Sequence, residues 1–254
     1  MRDFLGSRCM FGIPTPSVNT CVQPESDDMR PAGVTNHIAR MHVPDLAVHS
    51  NEDFERGIEA LFGALDDAVD QVMTCGPDHL ILGISALSIW GGSRASSNAL
   101  KARIATRAGL AGREVGVTLA GDAVLEALAA HGVKRRIAIV EPYYPVIQQH
   151  LESFFGEAGF EVVKFNHLQG KQFTGYTKVD AKYLIDALRE TDTPDAEAIV
   201  QFGANLPMAS LAAEAERWLG KPVIAVNIAN YWHALRHNGI DDRVQGWSTL
   251  LSQF

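Results

Sequence analysis

The sequence predicts an α/β protein in which parallel strands are covered by helices on both faces. Three observations carry this. Short apolar runs of strand length alternate with longer amphipathic segments along the chain. The second half repeats the strand-then-helix grammar of the first. Helical segments are closed by helix-stopping residues, as at Gly76-Pro77, Gly132 and Gly159.

The run 9–14 reads as a strand that enters a loop of Pro, Ser and Asn. Segment 54–74 places Ile58, Leu61, Phe62, Leu65, Val69 and Val72 at the three-to-four spacing of one buried helix face. A strand over 79–83 follows, with Gly83-Ile84-Ser85 at its exit, then a helix over 98–108 and a strand over 114–118. A helix over 121–131 and a strand over 136–140 come next. In the second half, helices over 146–158, 180–191, 208–219 and 229–237 alternate with strands over 161–165, 198–202 and 222–227. The stretch 14–48 reads as the only long irregular segment, longer than connectors usually run, and is therefore a candidate active-site loop.

Composition narrows the functional classes. The 254 residues include 22 Lys+Arg against 30 Asp+Glu, a formal net charge of −8, which argues against a nucleic-acid groove as the main business of the surface. With 46% hydrophobic and 20% charged residues the chain is globular in composition. Its longest apolar stretch, 80–90, is interrupted by Gly83, Ser85 and Ser88. That falls short of the roughly 20 residues needed to span a bilayer, so no membrane partner is expected. Residues 1–14 contain no continuous apolar run of the secretory kind. The three cysteines, Cys9, Cys21 and Cys75, form neither a disulfide framework nor a CxxC motif. A reducing cytoplasm is the expected location.

No GxGxxG follows the first strand, and GxxxxGK[ST], GxSxG and HExxH are absent. Dinucleotide, P-loop, hydrolase-elbow and zincin chemistries therefore lack their sequence support. In open α/β sheets the chemistry sits in loops after the carboxyl ends of strands. In Pro14-Thr15-Pro16-Ser17-Val18-Asn19-Thr20, the side chains of Ser17, Asn19 and Thr20 either hold a carboxylate without a cation or form a structural turn or helix cap. Gly83-Ile84-Ser85-Ala86-Leu87-Ser88 and Phe202-Gly203-Ala204-Asn205-Leu206-Pro207 end buried strands at corresponding places in the two halves. In Glu141-Pro142-Tyr143-Tyr144-Pro145 the fixed proline backbone aims one phenol at the crevice as proton donor or oxyanion ligand; otherwise both tyrosines pack. Gly91-Gly92-Ser93 reads as a plain turn. His233 and His237 lie four apart on one helix face, but no third ligand is evident, so the expected metal complement is none.

These loops resemble those of a known family. Gly12-Ile13-Pro14-Thr15-Pro16-Ser17-Val18-Asn19-Thr20, followed by Gln23-Pro24-Glu25, resembles the "PSSNT…E" loop of maleate cis-trans isomerases. Glu141-Pro142-Tyr143 resembles the "TPY"-type strand exit of the aspartate/glutamate racemase superfamily, which includes arylmalonate decarboxylase. The exit from Gly83 to Ser88 resembles that superfamily's first active-site loop, and Lys221-Pro222-Val223-Ile224 followed by Trp232 resembles its last strand and helix. The resemblance implies two similar lobes, each a four-stranded parallel sheet flanked by helices, pseudo-two-fold related and closing on a small carboxylate with no cofactor or metal. It implies chemistry by two facing cysteines in racemases, by cysteine addition to a double bond in isomerases, and by an enediolate cage with one cysteine as acid in decarboxylases.

At the decisive positions this chain differs. The first family cysteine falls on Ile84, beside the hydroxyl of Ser85, and the second on Phe202 or Gly203. Cys75 lies before its strand, Cys9 at the start of the first, and only Cys21 could approach the site. Thiol chemistry thus loses its expected agents. What the resemblance leaves is a cofactor-independent isomerase or decarboxylase acting on a small (di)carboxylic acid through an enolate-like intermediate. Tyr143 and Ser85 are its expected catalytic residues, and Ser17, Asn19, Ile84, Ala86, Phe202, Gly203 and Asn205 its expected substrate-binding ones, with Gln172 replacing a family amide. A non-catalytic carboxylate-binding protein and a hydrolase using Ser85 are the alternatives. The expected lobes are residues 1–118 with the C-terminal 229–254, and residues 119–228, with the site between them. A homo-oligomer is compatible with the sequence.

Overall fold

The computed structural model describes residues 4–254. The first lobe contains β1 (Cys9–Pro16), α1 (Val22–Met29), β2 (Val34–Met41), α2 (Asn51–Met73), β3 (His79–Ile81), α3 (Ala86–Ile89), α4 (Arg94–Gly109) and β4 (Gly116–Thr118). After α5 (Ala120–Ala130), the second contains β5 (Arg136–Glu141), α6 (Val146–Glu157), β6 (Glu161–His167), a 3-10 turn (Phe173–Thr177), α7 (Ala181–Thr191), β7 (Ala198–Gln201), α8 (Ala209–Leu219) and β8 (Val223–Ala225). The chain ends with α9 (Val226–His237) and α10 (Thr249–Gln253). Each lobe is a four-stranded sheet, in the orders β2-β1-β3-β4 and β6-β5-β7-β8, and every pairing is parallel. Helices flank both sheets. Among the described residues no helix is long and apolar enough to cross a membrane.

The stretch 14–48 is not irregular. It carries the end of β1, all of α1 and the whole of β2. Both new elements escape an apolar-periodicity reading for physical reasons. The eight residues of α1 include Pro24, Glu25, Asp27 and Asp28, and it starts because the Asn19 side-chain oxygen accepts from the N–H of Cys21 and Val22, both at 2.9 Å. The edge strand β2 carries Thr35, Asn36, His37 and Arg40, which its position leaves in reach of water. Pro14 and Pro16 fit within β1 because β3 pairs only with Phe11 and Gly12, leaving the prolines beyond that ladder with β2 as their neighbour.

Elsewhere boundaries move by a few residues. Ser50 starts α2 earlier than its apolar stripe, its hydroxyl accepting from the N–H of Asp53. The strand expected over 222–227 ends at Ala225, and α9 begins at Val226, so Asn227 sits in the first turn of a helix. From Val226 to Leu235 that helix is buried throughout, packed on α5 and returning to β3 and β4 of the first sheet.

In both sheets the order reverses between the two central strands, and the loops leaving their carboxyl ends open a crevice there. The exits of β1 and β3 face those of β5 and β7 across the gap. Asn19 donates to the carbonyl of Ala204 (3.2 Å), and the N–H of Thr20 donates to the Asn205 side chain (2.9 Å).

Candidate active site

A cavity lies where the four central-strand exits converge. It is lined from the first lobe by Pro16, Val18, Asn19, Ile84, Ala86 and the α2 residues Phe54, Ile58 and Leu61. The second lobe supplies Tyr143, Phe173, Tyr176, Ala204 and Asn205. Its volume is about 40 Å³ measured to water centres, room for two or three waters. A larger guest therefore enters by parting the lobes or turning lining side chains.

A polar cluster at the wall of this cavity joins the lobes: Tyr143 and Ala204 line the cavity, and Ser85 stands behind them, between the lining residues Ile84 and Ala86. Ser85, at the exit of β3, has its hydroxyl 2.7 Å from the Tyr143 hydroxyl at the exit of β5. The N–H of Ala204, at the exit of β7, donates to the same serine oxygen at 3.1 Å. Ser85 and Tyr143 are both buried. Burial pushes the Tyr143 phenol well above its ordinary value; the Ser85 hydrogen bond pulls it down, the Glu141 carboxylate raises it, and the N–H groups of Ala86 and Ala204 favour its anion. Tyr143 thus holds its proton at neutral pH while beside two backbone donors that favour an anion.

A fully buried carboxylate fixes Tyr143. One oxygen of Glu141 accepts from the N–H of Tyr143, and the other meets His167 Nδ1 from β6. The opposite nitrogen of His167 lies 3.1 Å from the Gln148 amide oxygen on α6. Burial raises the Glu141 pKa, and His167 opposes that shift. Tyr144 points elsewhere, its hydroxyl donating to the carbonyl of Val48 at 2.6 Å.

The remaining expected residues divide. Ile84, Ala86, Asn19 and Asn205 line the cavity. Asn19 uses its oxygen to start α1 and one N–H on Ala204, while Asn205 donates to the carbonyls of Val18 (3.3 Å) and Phe173 (2.8 Å), so both amides are largely engaged within the protein. Ser17 is exposed, outside the cavity lining, and its hydroxyl exchanges hydrogen bonds with the backbone of Val43. Phe202 is fully buried edge-on to Phe155 in the second-lobe core. Gly203 has no room for a side chain, because a Cβ there would lie 2.3 Å from Pro142 Cδ. Gln172 is exposed and contributes its backbone to a bridge with Ala47.

No cysteine lines the cavity. Cys21 is buried at the start of α1, and burial, with Glu25 adding to it, pushes its thiol up to about 12. Cys9 is buried in the first sheet, and exposed Cys75 donates to the carbonyl of Val72 at the amino-end side of the strands.

Sequence reasoning missed several groups here. The cavity-facing members of α2 belong to the helical stripe that reads as core, and Tyr176 lies in a loop with no periodic signal. Its buried hydroxyl has no protein partner. Glu25 stands in the sequence only as the acid of Gln23-Pro24-Glu25. The fold holds it, half-buried, between Asn227, which donates to it at 2.6 Å, and the N–H of Ala209, which donates at 3.1 Å. Asn227 also donates to the Ala204 carbonyl, which ties Glu25 to the cavity wall.

Burial raises Glu25 from 4.5 to about 7, against the pull of those two hydrogen bonds. In that window the folded state holds a proton the unfolded state has lost, so stability falls as pH rises and the loss is complete above the folded value. Glu25→Gln should flatten this slope, retaining up to about 2–3 kcal/mol more of its stability than the parent between about pH 5 and pH 8. Urea denaturation of both proteins at the two pH values measures the difference, and parallel slopes would refute the assignment.

A two-lobed α/β protein with a polar cluster at the strand exits between its two parallel sheets is the class this fold and cavity define. Residues 16–251 match the arylmalonate decarboxylase family, and the chain belongs to that family. It is 28% identical over 254 residues to a maleate isomerase of Pseudomonas putida, covering 95% of this chain and 96% of the relative. An arylmalonate decarboxylase of Bordetella bronchiseptica is 30% identical over 124 residues, which is 48% of this chain and 51% of the relative. Among solved structures, the fold is that of a Nocardia farcinica maleate cis-trans isomerase with a covalently bound succinylcysteine intermediate (TM-score 0.86, 22% identity, 97% and 99% of the two chains). Arylmalonate decarboxylase superposes with a TM-score of 0.73 at 21% identity over 96% and 100% of the chains.

Proposed function

We propose that this chain is a cofactor-independent decarboxylase of a small dicarboxylic acid bearing an apolar substituent, acting through an enediolate, with residues 1–118 plus 229–254 and 119–228 as the two closing lobes. The observation that carries this reading is the cluster of Ser85, Tyr143 and the Ala204 N–H across the lobe gap, set against an apolar wall of Phe54, Ile58, Leu61 and Phe173. The names of its relatives, an isomerase of maleate and a decarboxylase of arylmalonates, support a small carboxylate as substrate. The apolar wall favours the decarboxylase side, since maleate has no substituent to fill it. Isomerisation through the same enolate-like state is the second reading, carried by the full-length likeness to the maleate isomerase.

The steps follow from the groups present. The bond from the α-carbon to one carboxylate breaks, carbon dioxide leaves, and the electron pair spreads over the α-carbon and the remaining carboxylate. The Ala86 and Ala204 N–H groups and the Ser85 hydroxyl receive the charge on oxygen. Tyr143 then gives its proton to the α-carbon and regains one from water. A Ser85 nucleophile finds no support in this arrangement, because its hydroxyl bonds to Tyr143 and Ala204 and no histidine is among its partners in the described residues. Cys9, Cys21 and Cys75, none of them joined in a disulfide, support a reducing compartment, the cytoplasm.

Turnover of aryl- and alkylmalonates and of maleate in deuterated water tests the proposal. Loss of carbon dioxide with one deuteron at the α-carbon is the expected result. Tight binding with neither turnover nor exchange would make the chain a carboxylate-binding protein instead. Iodoacetamide should leave turnover within about twofold, because the one thiol near the site is held protonated. Inactivation at Cys21, prevented by substrate, would return the chemistry to a thiol.

A further inference from the structure

Away from the cavity, α9 and α5 bring together a set of ligand atoms that the sequence did not connect. His233 and His237 are one turn apart on α9, and their rings stack with centroids 3.9 Å apart at 13°. Their helix face is not an ordinary exposed one, because the His233 side chain is only 2% exposed. The third ligand missing from the sequence pattern comes from α5, which packs along α9. Glu126 places one oxygen 3.3 Å from His233 Nε2 and the other 3.0 Å from His237 Nε2. One ligand atom from each of the three residues lies within 4.8 Å of the others.

We propose that Glu126, His233 and His237 form a binding site for a divalent first-row transition-metal ion, zinc foremost, that pins α9 to α5. Two imidazoles and a carboxylate are the donor set such an ion prefers. Ligands about 2.0–2.1 Å from a tetrahedral zinc lie about 3.3 Å apart, close to the two Glu126-to-histidine distances, and rotation of the half-exposed His237 out of its stack on His233 turns both Nε2 lone pairs toward one ion. Behind the buried histidine stands an orienting group: His233 Nδ1 lies 2.8 Å from Thr118 Oγ1, which is 2.8 Å from His79 Nε2. Donation from His233 Nδ1–H to Thr118 leaves Nε2 with a lone pair directed toward Glu126, the tautomer that a metal requires. Thr118 then donates its own hydroxyl hydrogen bond to His79 Nε2. The outer side is open, since Glu126 and His237 are about half exposed, and solvent can complete the coordination.

The surrounding charges permit a cation. Asp122 lies one turn before Glu126 on α5 and is already paired with Lys101 at 3.0 Å and Arg94 at 3.6 Å. The nearby positive side chains are therefore offset by that carboxylate. None of the three proposed ligands lines the interlobe cavity, so the ion would brace the fold without entering the reaction.

The untagged full chain, freed of metal by chelator, should bind one zinc ion in calorimetric titration and show a cobalt(II) visible spectrum of low coordination number. Zinc should also raise its melting temperature, as a ligand of the native state must. His237→Ala and Glu126→Gln alter exposed side chains and avoid emptying the buried His233 position. Each should weaken zinc by at least about tenfold while leaving circular dichroism and turnover unchanged. No zinc binding or melting shift in the parent at about millimolar ion, or equal binding in parent and variants, would overturn the proposal.

Discussion

Tyr143→Phe is expected to lower turnover by about 10²–10⁴-fold with little change in substrate affinity. The substitution keeps the ring, which packs 5.2 Å from Phe54 and 6.1 Å from Tyr176, and removes only the hydroxyl that faces Ser85. Packing should therefore survive while the proposed proton donor is lost. Tyr144→Phe is the control, because its hydroxyl bonds to Val48 and its loss should cost stability rather than rate. Steady-state kinetics on the two variants separates these roles. Similar mild effects at both positions would mean that Tyr143 only packs and that the acid lies elsewhere.

Legibility in the sequence followed the strength of each local signal. Buried strands such as β5 and β7 and the apolar stripe of α2 announce themselves by period and run length, so their class and rough limits can be read without a structure. The polar helix α1 and edge strand β2 carry no such pattern. The first depends on a cap from Asn19, and the second on backbone pairing with β1, both of which become visible only in three dimensions. Within the site, Tyr143 and Ser85 stand at strand exits and could be found there. Their contact spans the lobe gap and could not. The same limit applies to Asn19 and Asn205, whose residue types suit an anion but whose bonds largely join protein to protein. Gly203 is the sharpest case: the resemblance offers it as one cysteine position, while Pro142 closes the space any side chain would need.

Glu141→Ala should be the most damaging single truncation beneath the site, destabilising the fold by about 3 kcal/mol and lowering turnover with it. Glu141 is wholly buried, and its two oxygens engage the Tyr143 backbone and the ring of His167. Removing the carboxylate leaves the Tyr143 N–H without its acceptor and His167 without its inner partner, and it opens a void behind the strand exit. Glu141→Gln is the discriminating companion. Its amide oxygen can still accept from Tyr143 N–H, and its amino group can donate to an unprotonated His167 nitrogen. If the role of Glu141 is to hold Tyr143 by geometry, the glutamine variant should keep most of the stability and most of the turnover that alanine loses. If the negative charge itself matters, glutamine should fold well yet show a shifted pH profile for turnover, because the carboxylate raises the Tyr143 phenol's proton affinity. Denaturation curves and pH–rate profiles of the two variants decide between these roles, and stability equal to the parent in both would refute the claim that this buried carboxylate organises the site.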